Sequence, residues 1–268
     1  ERIVLRDAKA AGGTPLDPNR AIDGFRSLRM ETVTVRDVTL AFRTRVGGRF
    51  DARDLYVQNG RGSLVTASTL ELDRVDVANH QGRVFETFEP GSGTRGTIRM
   101  RAVRVDGGVG SQFRHCEELA IVDSTFASGK ARYFRGDTVP LILLFDLAGA
   151  VDTRCQINRI SHTRFVNNQG THSALFLGGA TTTTDLRNVT FEGNAGRHGA
   201  LSILPGASGT ATVNLRNVIF NDNDAWLGGA IHSTTVAPPT IRGMNVTFHG
   251  NRSDTRGGAV FAPGATLT

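Results

Sequence analysis

Three sets of residues in this chain could carry chemistry. Asp76, Arg104 and Asp106 are two carboxylates with a cation close by in sequence. Two acids with an arginine can cleave an acidic polysaccharide, either as an inverting acid–base pair or as a lyase. His172 and His198 are imidazoles 26 residues apart and could share a metal ion. The third set is the basic and aromatic run Lys130, Arg132, Tyr133, Phe134, Arg135, Gly136, Asp137, which contains an Arg-Gly-Asp tripeptide and has the composition of a binding loop. Cys116 and Cys155 are the only cysteines. Each set depends on what brings its members together.

A tandem repeat does so. Leu186-Arg-Asn-Val-Thr-Phe191-Glu-Gly-Asn194 returns at Leu215–Asn223 and at Gly243–Asn251, and decays upstream through Ile160–Asn168 and Ile121–Phe126. Taking the last apolar residue of each unit as an anchor, the row reads Leu40, Val57, Val77, Val105, Phe126, Phe165, Phe191, Phe220, Phe248. The positions two and five residues earlier are mostly apolar as well, and the position one earlier is mostly polar. Alternation of that kind marks a short strand with one buried face. The anchors are 17, 20, 28, 21, 39, 26, 29 and 28 residues apart. A solenoid tolerates such irregular periods, because its strands stay in register while its turns vary. The fold expected is all-β, a right-handed parallel β-helix of about nine coils, with a second short strand at Ser173-Ala174-Leu175 and its equivalents.

In that arrangement like residues stack about 4.8 Å apart. Phe126, Phe165, Phe191, Phe220 and Phe248 are expected to pile up inside, and Asn168, Asn194, Asn223 and Asn251 to form an amide ladder at a turn. Asp76 and Asp106 point outward on adjacent coils with Arg104 beside both; this is a catalytic alternative to plain surface charge. Cys116 and Cys155 each lie ten residues before an anchor, hence side by side, as a disulfide or as a reduced buried pair. His172 and His198 fall on neighbouring coils, and Gly228 stands where a third ligand would be. We therefore expect a solvent-facing pair and no metal or other cofactor. The long spacing before Phe165 places an insertion at about 127–140, with Leu144 and Leu147 resuming the second strand.

The pairing of Phe-x-x-Asn with Gly-Gly-Ala-(Ile/Val/Leu) resembles the repeat of the chlamydial polymorphic outer-membrane proteins. Phe-x-x-Asn stands at Phe165–Asn168, Phe191–Asn194, Phe220–Asn223 and Phe248–Asn251; the second motif is complete at Gly228–Ile231 and Gly257–Val260 and degenerate at His198–Leu201 and His172–Leu175. The match covers about residues 157–262. The resemblance implies a surface-exposed β-helical passenger, in autotransporters or adhesins, located at the outer membrane, cell surface or outside the cell. It implies no catalytic residues.

Composition narrows the partners. The net charge is +6 and lysine occurs only at positions 9 and 130, so arginine supplies nearly all the positive charge. A basic surface attracts polyanions, but no basic patch interleaved with aromatics points to specific nucleic-acid binding. No apolar run is long enough to span a bilayer, so membrane contact is expected only through regions outside this chain. The reading is a surface protein meeting a host or neighbour-cell protein or an acidic polysaccharide. Residues 1–30 are expected to be an N-terminal cap or first irregular coil, and 31–268 the β-helix. The bare last coil suggests truncation at the C-terminal end, with further coils or end-to-end self-association covering it.

Overall fold

A computed structural model of the chain describes residues 2–6, 9–11, 22–36, 42–87, 95–114, 116–130, 149–234 and 237–268. Among the described residues there is no helix, and every strand pairing is parallel. The molecule is a parallel β-helix. Its main ladder runs without a change of register from Val35 to Val57, Val77, Val105, Phe126, Phe165, Phe191, Phe220 and Phe248. Val35 takes the first anchor place expected for Leu40, which lies outside the described residues. The pattern Met30-x-x-Val33-x-Val35 repeats five residues on as Val35-x-x-Val38-x-Leu40, and apolar spacing alone cannot separate the two frames. The stacking also reaches back into the first thirty residues: Arg2–Arg6 pairs with Ser27 through Glu31, and Lys9–Ala11 with Thr34 through Arg36. The expected boundary at residue 30 falls inside the strand Ile22–Arg36.

Each repeat unit is a bent strand rather than a straight one. Its apolar positions lie five and two residues before the anchor, an odd separation that an uninterrupted strand would send to opposite faces. A left-handed residue at the third place before the anchor restores the phase. His162, Asn188, Asn217 and Asn245 sit there with φ of 50–54°, and Asp54 and Asp123 with 53° and 51°. Asn and Asp tolerate this conformation best, because their short polar side chains bond locally. The row forms an exposed ladder: Asn245 donates to Asn217 (3.1 Å) and Asn217 to Asn188 (2.9 Å).

The anchor row forms the expected interior stack. Successive ring centroids from Phe126 through Phe165, Phe191 and Phe220 to Phe248 are 5.5, 5.0, 4.8 and 5.3 Å apart, with interplanar angles between 4° and 14°. The first four rings are fully buried, and Phe248 is 41% exposed at the last coil. Three residues on, the buried asparagines form the second ladder. The Nδ2 of Asn194 donates forward to Asn223 Oδ1 (2.9 Å) and back to the Phe165 carbonyl (3.0 Å), while its Oδ1 accepts from the backbone N–H and the Nδ2 of Asn168, both at 3.0 Å. All four hydrogen-bonding positions of the amide are used.

The chain then turns into a small sheet, Gln169–His172, Ala195–His198, Asp224–Leu227 and Arg252–Arg256, before the short strand that carries Leu175, Leu201, Ile231 and Val260. The glycine pair marks this corner. Gly228 and Gly257 have φ of +57° and +65°, and a Cβ on Gly229 would collide with the carbonyl oxygens of Arg252 and Gly258. The second glycine is thus dictated by close backbone approach between coils. Ala200 and Ala230 follow it, and Ala174 follows Ser173 at the same place; all three are fully buried in the core.

Candidate functional site

Asp76 and Arg104 are direct partners on adjacent strands, and Asp106 lies two residues beyond Arg104, level with Ala78. All three lie on the outer face, with the Tyr56 ring on the strand before Asp76. Arg36, Tyr56, Gln58 and Asp76 line a shallow depression. Among the described residues no group forms an ion pair with Asp76, Arg104 or Asp106. The geometry is thus the diagonal pair expected from sequence, set on an open sheet.

The coil before the insertion holds longer than the spacing suggested, past residue 127. Lys130 still bridges Gln169, and the Gly129 N–H donates to Asn168 Oδ1, so the coil holds through residue 130. It resumes at Gly149-Ala150-Val151, where Val151 pairs with Ser111 on one side and Leu175 on the other. Val151 holds the second-strand place equivalent to Leu175; Leu144 and Leu147, expected to resume that strand, lie outside the described residues. Gly149-Ala150-Val151 is itself a copy of the Gly-Ala-(Ile/Val/Leu) motif, a signal the spacing argument overlooked. Arg132, Tyr133, Phe134, Arg135, Gly136 and Asp137 lie outside the described residues. Cys116 and Cys155 are joined as a disulfide, with Cα atoms 4.5 Å apart. The bond ties together the two coils between which the insertion leaves.

The histidines overturn one expectation. His172 and His198 do not face solvent: they are 1% and 7% exposed. Their Nδ1 atoms lie 3.2 Å apart, which requires a proton on one Nδ1 and a lone pair on the other. A third imidazole, His232, stacks on His198 with centroids 4.3 Å apart and planes 9° from parallel. It comes from a different strand, in the row of Asp152, Phe176, Ser202 and Phe261. Phe176 stacks on His172 (4.2 Å), Phe261 lies 5.9 Å from His232, and the Arg256 guanidinium lies over Phe261. The five rings fill the corner between the small sheet and the next strand. Repeat reasoning missed His232 because it sought the third histidine at Gly228, whereas register sets Leu227 opposite His198 and His232 stands in another row. Among the described residues no group of three or more His, Cys, Asp or Glu side chains is arranged to hold a metal ion.

Burial sets the charge state of this stack. Desolvation, then the neighbouring His172, His232 and Arg197, hold His198 well below the usual imidazole range; desolvation, then His172 and Arg197, hold His232 at about 3. Both rings are neutral in the folded chain at pH 7. The unfolded chain takes up protons near pH 6.5 while the folded chain does not, so stability is constant above that pH and falls as pH drops towards 3. For His232 the loss should be roughly 2 kcal/mol by pH 5, and His198 should add to it in the same direction. Urea melts at pH 7 and pH 5 check this, and His198→Gln with His232→Gln should shrink the difference between them. An equal difference in that variant would mean other groups govern acid sensitivity.

A second outer face bears the densest ionic network among the described residues. Arg49 pairs with Asp51 (2.6 Å) and Glu71 (2.5 Å), Arg99 with Glu71 (3.3 Å), and Arg101 and Arg53 with Asp73 (2.9 and 3.6 Å). Register places these groups opposite one another on successive coils, the arrangement in which opposite charges stabilise a sheet surface.

Comparison with known families connects to the last coils. The family model of the Chlamydia polymorphic membrane protein repeat matches residues 245–263, which hold Phe248–Asn251 and Gly257–Val260. No curated protein and no solved structure matches the chain.

Proposed function

We propose that this chain is the β-helical part of a bacterial surface protein, a passenger or stalk that acts in adhesion or surface structure. The matched repeat carries this reading, because the family it describes is one of membrane proteins. Two features support it. The stacked coils make a rigid rod whose insertion is free to vary without disturbing the ladders. The disulfide suits an oxidising location outside the cytoplasm. Within this reading Lys130 and the residues that follow it, Arg132, Tyr133, Phe134, Arg135, Gly136 and Asp137, supply the contact with a host or neighbour-cell protein.

The test has two arms. Protease added to intact cells should remove the protein, and replacing the segment between Lys130 and Gly149 with a short Gly-Ser linker should weaken cell binding while leaving the melting curve in place. Full protection in intact cells would overturn the surface assignment. Asp76→Asn with Asp106→Asn should leave binding unchanged. Turnover of a polyuronate that vanishes on Asp106→Asn would replace this reading with the enzymatic one.

A further inference from the structure

We infer that the outer face built from Ile157–Val166, Leu175–Glu192, Leu201–Asn221 and Thr240–His249 binds a linear anionic polysaccharide running along the solenoid axis. The inference deepens the surface role proposed above and rests on it for biological meaning.

The face is the C-terminal continuation of the one that carries the ionic network, and the two halves differ in one respect. In the N-terminal half Arg29, Arg49, Arg53, Arg99 and Arg101 are all engaged by carboxylates. In the C-terminal half the two rows that supply those carboxylates keep a single acid, Asp185, in the row of Asp51 and Glu71. Arg187 and Arg216 are direct register partners, Arg242 follows one coil later in the adjoining row, and all three are exposed. Among the described residues none pairs with any of them. The nearby Arg159 is engaged by Glu118, and the one carboxylate in the stripe, Asp185, accepts a 2.6 Å hydrogen bond from Asn214. The arginines line a shallow trough along this half of the face.

Spacing selects the ligand's form. Guanidinium groups one coil apart repeat about every 4.8 Å, a period close to one sugar unit. A single anion gains little from one exposed arginine, since such pairs contribute about 0–1 kcal/mol and are screened by salt. A polymer that repeats its carboxylate or sulfate in step with the coils gains from each in turn. Arginine suits this use, since its planar fork takes a carboxylate or sulfate by two bonds.

The surroundings select sugar over nucleic acid. Thr183, Thr212 and Thr240 form a hydroxyl row on one side of the stripe, in direct register. The Asn188, Asn217 and Asn245 amides flank the other side. No tryptophan, tyrosine or phenylalanine lines the trough, and its one aromatic ring, His162, is hydrogen-bonded to Asn188, so it lacks the series of aromatic platforms on which successive bases would stack.

The experiment measures binding of polygalacturonate decamers and trimers to the whole chain by calorimetry at low ionic strength. The decamer should bind more tightly than the trimer, and its affinity should fall as salt rises. The triple variant Arg187→Gln, Arg216→Gln, Arg242→Gln should bind it at least about tenfold more weakly. Arg99→Gln with Arg101→Gln, in the paired half, should stay within about twofold of the wild type. A triple variant that binds as well as the wild type would sink the inference, as would a trimer equal to the decamer. Oligothymidylate bound more tightly than the decamer would also overturn it and assign the stripe to nucleic acid. None of these results bears on protease accessibility in intact cells, so the surface assignment stands or falls separately.

Discussion

Phe220→Ala should destabilise the chain by about 3–5 kcal/mol, the usual cost of removing a fully buried phenylalanine. The ring has no exposed area and is sandwiched between Phe191 at 4.8 Å and Phe248 at 5.3 Å. Its neighbours cannot close the gap, because each is held at its own height by a continuous ladder of backbone hydrogen bonds. The loss should therefore include the cavity as well as the transferred surface. Stability in a solenoid is a sum of coil and interface terms, so the damage should be concentrated in the last coils. Urea melts read the total, and amide exchange reads its location. A loss below about 1 kcal/mol would mean the stack contributes little beyond filling space.

Asn194→Ala should cost at least as much, and Asn194→Asp more. The side chain makes four hydrogen bonds at once, two given and two received, at a site with no solvent exposure. Alanine leaves the Phe165 carbonyl and the Asn168 N–H without these partners, and each orphaned buried group costs about 1–3 kcal/mol. Aspartate keeps the shape and the acceptor. It cannot donate to Asn223 Oδ1 or to the carbonyl, however, and it buries a charge facing two oxygens. The aspartate variant should regain stability as pH falls and the carboxyl is protonated, opposite in sign to the histidine effect. Parallel melts of the two variants at pH 7 and pH 5 show whether the ladder is held by hydrogen bonds or by shape alone. Equal, small losses in both would favour shape.

These two ladders were legible in the sequence, and the histidine stack was not. The phenylalanine and asparagine rows occupy one place in each unit, and identical places meet in a solenoid whatever the turns between them do. His172 and His198 share such a place, and their adjacency was read correctly. Their burial was not, because it depends on a third row, that of Phe176, Ser202 and His232, folding back across them. The angle at which two strands of a coil meet leaves no periodic trace in the residues. The candidate carboxylates show the same division: Asp76 and Asp106 stand where register put them, but their setting on an open sheet became visible only in three dimensions.

Repetition alone determined the fold class, the interior phenylalanine stack, the amide ladder and the need for glycine where coils approach closely. One coil rises by a single strand spacing, so self-similar positions become contacts without reference to loop length. Tertiary structure decided the rest: that Val35 rather than Leu40 precedes Val57 in the anchor row, that Val151 pairs with Leu175 on the second strand, that a left-handed residue bends every unit, that His232 completes the stack, and that Arg187, Arg216 and Arg242 are left without acids while Arg49, Arg99 and Arg101 are not. Each of these depends on contacts between unlike positions, set by turn angles and by which side chains face one another across a corner. A one-dimensional repeat carries no record of either.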